Sequence, residues 1–263
     1  CEEYMSYLDS SKTEREAVKN AIALAEKKGF KPYDGGEVKP GDKLYRSVRG
    51  KALLIAVVGK KDAGAGINIA AAHVDSPRLD LKQVPLYEDN EVAYFKTHYY
   101  GGIRKYQWVT IPLERHGVVA MKDGTVRDIV IGKDPKDPVL YISDLLPHLA
   151  ADQSKKKLNE GITGEQLNII LGTLPVSGDE GSDRVKYAVL KILNEKFGIT
   201  EEDFLSAELE AVPAMPVREV GLDRSLIGGY GHDDRVCAFA ELRAILDTEM
   251  PERTAVCILA DKE

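Results

Sequence analysis

Two short stretches, residues 53–58 and 67–72, are apolar at nearly every successive position, and they constrain the fold more than any other feature of the chain. A strand with one wet face alternates apolar and polar residues, so an unbroken apolar run predicts a strand covered on both faces. That arrangement belongs to a layered α/β core rather than an open meander. The glycines and charges of residues 59–66 between the two runs predict a hairpin turn joining them.

The 263-residue chain is long enough for one large domain or two ordinary ones. Its net charge of −7 argues against a nucleic-acid or anionic-membrane surface, either of which needs a field of Lys and Arg. No apolar run approaches the roughly 18 residues of a membrane span. Cys1, Cys237 and Cys257 are odd in number and lack zinc-knuckle spacing, which predicts a reducing, cytoplasmic setting. The amino end does not resemble a signal peptide, and a first residue Cys1 rather than Met leads us to expect residues missing from the front.

Helix signals are clear at two places. A hydroxyl in Ser10-Ser11-Lys12-Thr13 can cap a helix over residues 14–28 that Gly29 ends, and Ser182 is placed to cap a second helix that Gly198 closes. From Tyr87 onward the texture is β-rich: residues 92–96, 108–113, 118–121, 126–131 and 139–142 predict short antiparallel strands, and residues 154–165 a solvated loop. Residues 205–211 alternate as a half-buried strand broken by Pro213 and Pro216. A glycine-rich turn, Gly228 to Gly231, then leads into a helix ending near Leu246 and a strand over residues 255–260. This order predicts an α/β domain (residues 1–86 and 221–263) interrupted by a β-rich insertion (87–220). Two consecutive domains are the alternative.

Candidate chemistry collects at strand ends. His73 follows an apolar run directly and Asp75 lies two residues on. Ligands of open α/β sheets gather beyond the carboxyl ends of strands, so His73 is a candidate metal ligand, against a plain hydrogen-bonded histidine. Asp75 is either the carboxylate that orients its imidazole or the start of an Asx-type turn into Ser76-Pro77. Asp233 and Asp234 are either an N-cap pair or a bridging ligand for two ions. Glu263, following an apolar strand as His73 does, could serve as a general base. Dinucleotide, phosphate-loop and serine-hydrolase signatures are missing. Cys237 reads as packing, and His98, His116 and His232 as structural or surface residues.

Taken together, His73-Val-Asp-Ser-Pro-Arg-Leu-Asp-Leu-Lys82, Tyr99-Tyr-Gly-Gly-Ile103, Leu146-Pro-His-Leu-Ala150, Gly231-His-Asp-Asp-Arg-Val236 and Asp261-Lys-Glu263 resemble the M18 metallopeptidases, the aspartyl aminopeptidase and vacuolar aminopeptidase I group. The resemblance spans essentially the whole chain in order. It implies a mixed-sheet, zinc-peptidase-like α/β/α catalytic domain with an inserted β-rich dimerisation domain. It also implies a metal-dependent aminopeptidase that releases the N-terminal residue of peptides. His73 would be a metal ligand, Asp75 its orienting carboxylate, Asp234 the bridge between two ions, and Glu263 the general base. His148 would reach a neighbouring subunit's active site. Two zinc ions, with Mn or Co possible, and dimers assembled into a dodecamer are further implications, with no nucleic-acid or membrane partner. The chain departs from the family at its end, where a second glutamate and a later Asp and His are missing, so this chain alone is expected to be inactive. A related metal-dependent amidohydrolase or deacylase, and a non-catalytic assembly fragment, are the other readings.

Overall fold

The structure is a computed structural model that describes residues 1–178 and 181–262. In chain order, α1 (Glu2–Ser10) and α2 (Glu14–Lys27) precede β1 (Lys31–Pro32), β2 (Lys43–Val48), β3 (Ala52–Val57) and β4 (Asn68–His73). Next come β5 (Arg78–Asp89), β6 (Val92–Tyr100), β7 (Leu113–Ala120), β8 (Val126–Ile131), β9 (Ile169–Gly172), α3 (Arg184–Phe197) and β10 (Ala207–Pro213). The chain ends with β11 (Arg218–Val220), β12 (Leu226–Gly228), α4 (His232–Leu246) and β13 (Ala255–Ala260). It divides into two compact units, Cys1–Ser76 with Pro216–Glu263, and Pro77–Met215. No described helix is long and apolar enough to cross a membrane.

The first unit is built on a mixed five-stranded sheet of order β1-β2-β3-β13-β4. The expected hairpin between β3 and β4 does not form: β13 lies between them, antiparallel to β3 and parallel to β4. The reason lies in residues 59–66, whose polar groups are taken by the segment that leads into β13. Lys60 and Lys61 amides donate to the carbonyls of Pro251 and Glu252, and the Gly59 amide donates to Thr254 Oγ1. The strand farthest away in sequence thereby enters between β3 and β4.

Helix α2 begins with a reciprocal capping box between Thr13 and Glu16. Its Ala17, Val18, Ala21 and Ala25 pack with Leu53, Ile55, Val57, Cys257 and Leu259 of the sheet and with Ala238, Leu242, Ile245 and Leu246 of α4. Burial against this face pushes the Cys257 thiol up to about 12. The mixed α/β class matches the expectation from the apolar runs, but among the described residues helices cover only one face. On the other, Leu54 is 39% and Ile69 57% exposed.

The second unit is a six-stranded antiparallel sheet of order β8-β7-β10-β5-β6-β9, with α3 packed on β5, β6 and β9. It starts at Pro77, ahead of Tyr87, because β5 runs as one twelve-residue strand with a bulge between Leu81 and Leu86. Of residues 108–113 only Leu113, the first residue of β7, is in a strand, and residues 139–142 contribute only isolated bridges at Leu140 and Tyr141. Ser182 does not cap α3. Asp183 occupies the N-cap position, and the Glu88 carboxylate of β5 accepts from the Val185 and Lys186 amides at 2.8 Å each. A long-range carboxylate thus does the work expected of a local hydroxyl. Gly198 ends the helix in the left-handed region (φ +66), as its sequence position predicts.

Candidate metal centre

Three segments of the first unit converge at the carboxyl end of β4. The parallel register of β4 with β13 sets His73 opposite Ala260, and the Val74 amide donates to the Ala260 carbonyl at 2.9 Å. One step further, the Lys262 amide donates to Asp75 Oδ1 at 2.9 Å. The start of α4 supplies the third segment, where the Ser76 hydroxyl donates to the Asp233 carbonyl at 2.8 Å.

His73 is held from one side and open on the other. Its Nδ1 lies 3.0 Å from the Asp75 carbonyl oxygen and 3.4 Å from Asp75 Oδ1. Two oxygen acceptors around Nδ1 fix the proton there in the neutral ring and leave the Nε2 lone pair outward. Nε2 stands 3.4 Å from Asp233 Oδ1. The Asp75 side chain is 2% exposed, whereas that of Asp233 is 92% exposed, so one carboxylate is structural in setting and the other faces solvent. Asp75 thus bounds the Nδ1 side of the ring through its carbonyl and, at 3.4 Å, its carboxylate, which also accepts from the Lys262 amide.

A nitrogen and an oxygen bound to one tetrahedral ion at roughly 2.0–2.1 Å sit about 3.4 Å apart. The His73–Asp233 separation matches this edge, and the pair fits a divalent cation in donor type, ring orientation and spacing. Among the described residues no group of three or more His, Cys, Asp or Glu side chains is arranged to hold a metal. Glu263 lies outside the described residues.

The two adjacent aspartates point to different chemistry. Both have non-helical backbone, at a kink in the first turn of α4. Asp233 meets His73, while Asp234 accepts a hydrogen bond from the Cys237 thiol and raises its pKa. Burial, with Asp234 nearby, also raises Glu241. Of the two carboxylates, Asp233 is the one the structure brings to the imidazole.

Other histidines have local explanations. His232 Nδ1 lies 2.9 Å from the Tyr4 hydroxyl, whose pKa burial raises. His116 is 1% exposed, beside Glu114 at 3.4 Å, and His98 stacks on Tyr99. His148 belongs to the second unit, exposed in the turn formed by residues 146–150. Ser76 and Arg235 escaped sequence reasoning: Ser76 was legible only as a turn residue, and Arg235 only as the residue after two acids.

Comparison with known proteins gives the class. Residues 7–263 match the family described as Aminopeptidase I zinc metalloprotease (M18), and the chain belongs to that family. It is 51% identical over 262 residues to a "Probable M18 family aminopeptidase 1" of Thermotoga maritima, covering 99% of this chain and 57% of the relative. A protein of the same description from Clostridium acetobutylicum is 49% identical over 265 residues, again covering 99% and 57%. The crystal structure of the Thermotoga maritima M18 aminopeptidase superposes with a TM-score of 0.94 at 51% identity, covering all of this chain and 57% of that one. The S. cerevisiae mApe1 dodecamer, 20% identical with a TM-score of 0.73 over all of this chain and 60% of that one, shares the fold. The chain thus spans somewhat over half the length of the curated relatives it matches.

Proposed function

We propose that the full-length protein is a zinc-dependent aminopeptidase that releases the N-terminal residue of peptides. The observation that carries this reading is the His73–Asp233 pair, held at 3.4 Å with the imidazole oriented by Asp75, in a chain of the M18 family. Zinc bound there would supply Lewis acidity toward the scissile carbonyl and acidify a water molecule.

The chain's own residues divide the remaining work. His73 would present Nε2 to the ion, and Asp75 would hold the Nδ1 proton and so fix the ring's orientation. Asp233 supplies the facing carboxylate. We extend the proposal to a second ion, for which Asp233 would be the shared ligand, with Mn or Co as alternatives, since imidazole and carboxylate suit all three metals. The bridge first expected at Asp234 falls to Asp233 in this reading, because it is Asp233 that faces His73. Glu263 is the proposed general base.

Assembly is part of the same proposal. The fold shared with a dodecameric aminopeptidase supports dimers joined into a larger homo-oligomer. So do Leu145, Leu146 and Leu149, exposed at 51%, 66% and 69% beside His148. In this reading His148 completes the site of a neighbouring subunit, and the 263-residue chain alone is inactive.

The test uses the full-length protein with zinc, assayed on free aminoacyl and N-acylated peptide substrates. Turnover only of substrates with a free amino terminus, abolished in Glu263→Gln with zinc content unchanged, is the expected result. Preference for N-acylated substrates, or full activity in Glu263→Gln, refutes it.

A further inference from the structure

We propose that Arg235, with Ser76, is the positioning residue of this site: it sets the separation of His73 and Asp233 without touching metal or substrate. The inference rests on the metal reading above.

The site depends on two chain segments remote in sequence, and neither ligand is held there by its own packing alone. The Asp233 side chain is almost wholly in solvent, so its place is fixed through its backbone. Two bonds do this. The Ser76 hydroxyl donates to the Asp233 carbonyl at 2.8 Å, and Arg235 Nε donates to the Val74 carbonyl at 2.9 Å. Val74 and Ser76 flank Asp75, and Asp233 and Arg235 flank Asp234, so the two bonds clip segments 74–76 and 233–235 together in antiparallel register. A third bond, Arg235 Nη2 to the Lys12 carbonyl at 3.2 Å, fastens the clip to the turn between α1 and α2.

The side chain is built for this place. Arg235 is fully buried, and a buried charge is costly unless its donors are used; Nε and Nη2 are bonded, while Nη1 has no hydrogen-bond partner among the described residues. A guanidinium is a rigid fork that can serve carbonyls from two segments at once, which a lysine ammonium on a flexible stem does less well. Room for it comes from Gly231, at φ +89, where a Cβ would collide with Nη1 of Arg235. The placement of the Arg235 side chain therefore depends on glycine at position 231. The bond to Val74 falls between His73 and Asp75, the ligand and the residue that orients it. Losing it frees the α4 start to move relative to the imidazole.

Cobalt titration of the metal-free full-length protein tests this, read by affinity and by the visible absorption of bound Co. Arg235→Met is expected to weaken Co binding roughly 10–100-fold and alter the spectrum, the scale typical of residues that orient ligands. Arg235→Lys should recover part of the loss. Ser76→Ala, a far milder change, should weaken binding by a smaller factor. Leu246→Ala, in the core of the same helix and 2% exposed, should lower Tm while leaving affinity and spectrum unchanged. Wild-type affinity in both Arg235→Met and Ser76→Ala, with binding lost in His73→Ala, overturns the positioning role alone. The same holds if Leu246→Ala weakens Co binding as much as Arg235→Met does. Unchanged Co binding in His73→Ala overturns the metal reading, and the positioning role with it.

Discussion

The two sheets of this protein solve the burial problem in opposite ways. In the first unit β3, β4 and β13 carry apolar side chains toward both faces, yet among the described residues only one face is covered: Ile55 is fully buried and Ile69 is 57% exposed. In the second unit the sheet buries charge. Arg78 pairs with Asp80 at 2.8 Å and Glu210 at 3.3 Å, and Glu114, Arg115 and His116 are almost fully buried in succession. The difference teaches that an apolar run reports what a strand is made to face, whereas a charged residue in a strand reports nothing until its neighbours are known.

The largest contrast is expected in the first sheet. Urea unfolding of the 263-residue chain should show Ile55→Ala costing about 2–5 kcal/mol and Ile69→Ala less than about 0.5 kcal/mol. In the full-length protein the cost at Ile69 should climb toward that at Ile55. Equal costs in the short chain would break the comparison.

This sheet also shows how much the sequence revealed. β13 falls on residues 255–260 as expected, and the Thr13–Glu16 and Gly198 helix boundaries follow from local chemistry. What local chemistry could not reveal was pairing across distance. β13 enters between β3 and β4 because residues 59–66 bond to residues 251–254, and Glu88 caps a helix 97 residues away. The site follows the same rule. His73 and Asp75 stood out because strand and motif are contiguous, but only the fold shows which of two adjacent aspartates meets the imidazole. The same is true of Arg235, whose bond to Val74 spans 161 residues.

Buried charge in the second sheet gives the next effect, of opposite sign. The Arg115 guanidinium has no hydrogen-bond partner among the described residues and lies 4.5 Å over the Phe95 ring, and burial lowers its pKa to about 9. Arg115→Met is expected to stabilise the chain by roughly 1–4 kcal/mol, seen as a higher Tm. A lower Tm would mean that the guanidinium contributes more through the aromatic contact than its desolvation costs. Smaller again, Glu88→Ala should cost about 0.5–2 kcal/mol, the usual range for a lost N-terminal cap. The loss should appear as faster amide exchange in the first turn of α3.

The smallest effect separates the two aspartates chemically. The hydrogen bond to Asp234 raises the Cys237 thiol, so Asp234→Asn should lower its pKa and speed alkylation at pH 8, while Asp233→Asn changes the rate little. Cys257, held near 12 by burial, should react only on unfolding.

Metal binding by the full-length protein with each aspartate replaced in turn is the most direct test of the central claim, that His73 and Asp233 face a common cation. Asp233→Asn is expected to weaken zinc affinity strongly and Asp234→Asn to leave it close to wild type. Loss of affinity in Asp234→Asn, with Asp233→Asn unaffected, would contradict the account.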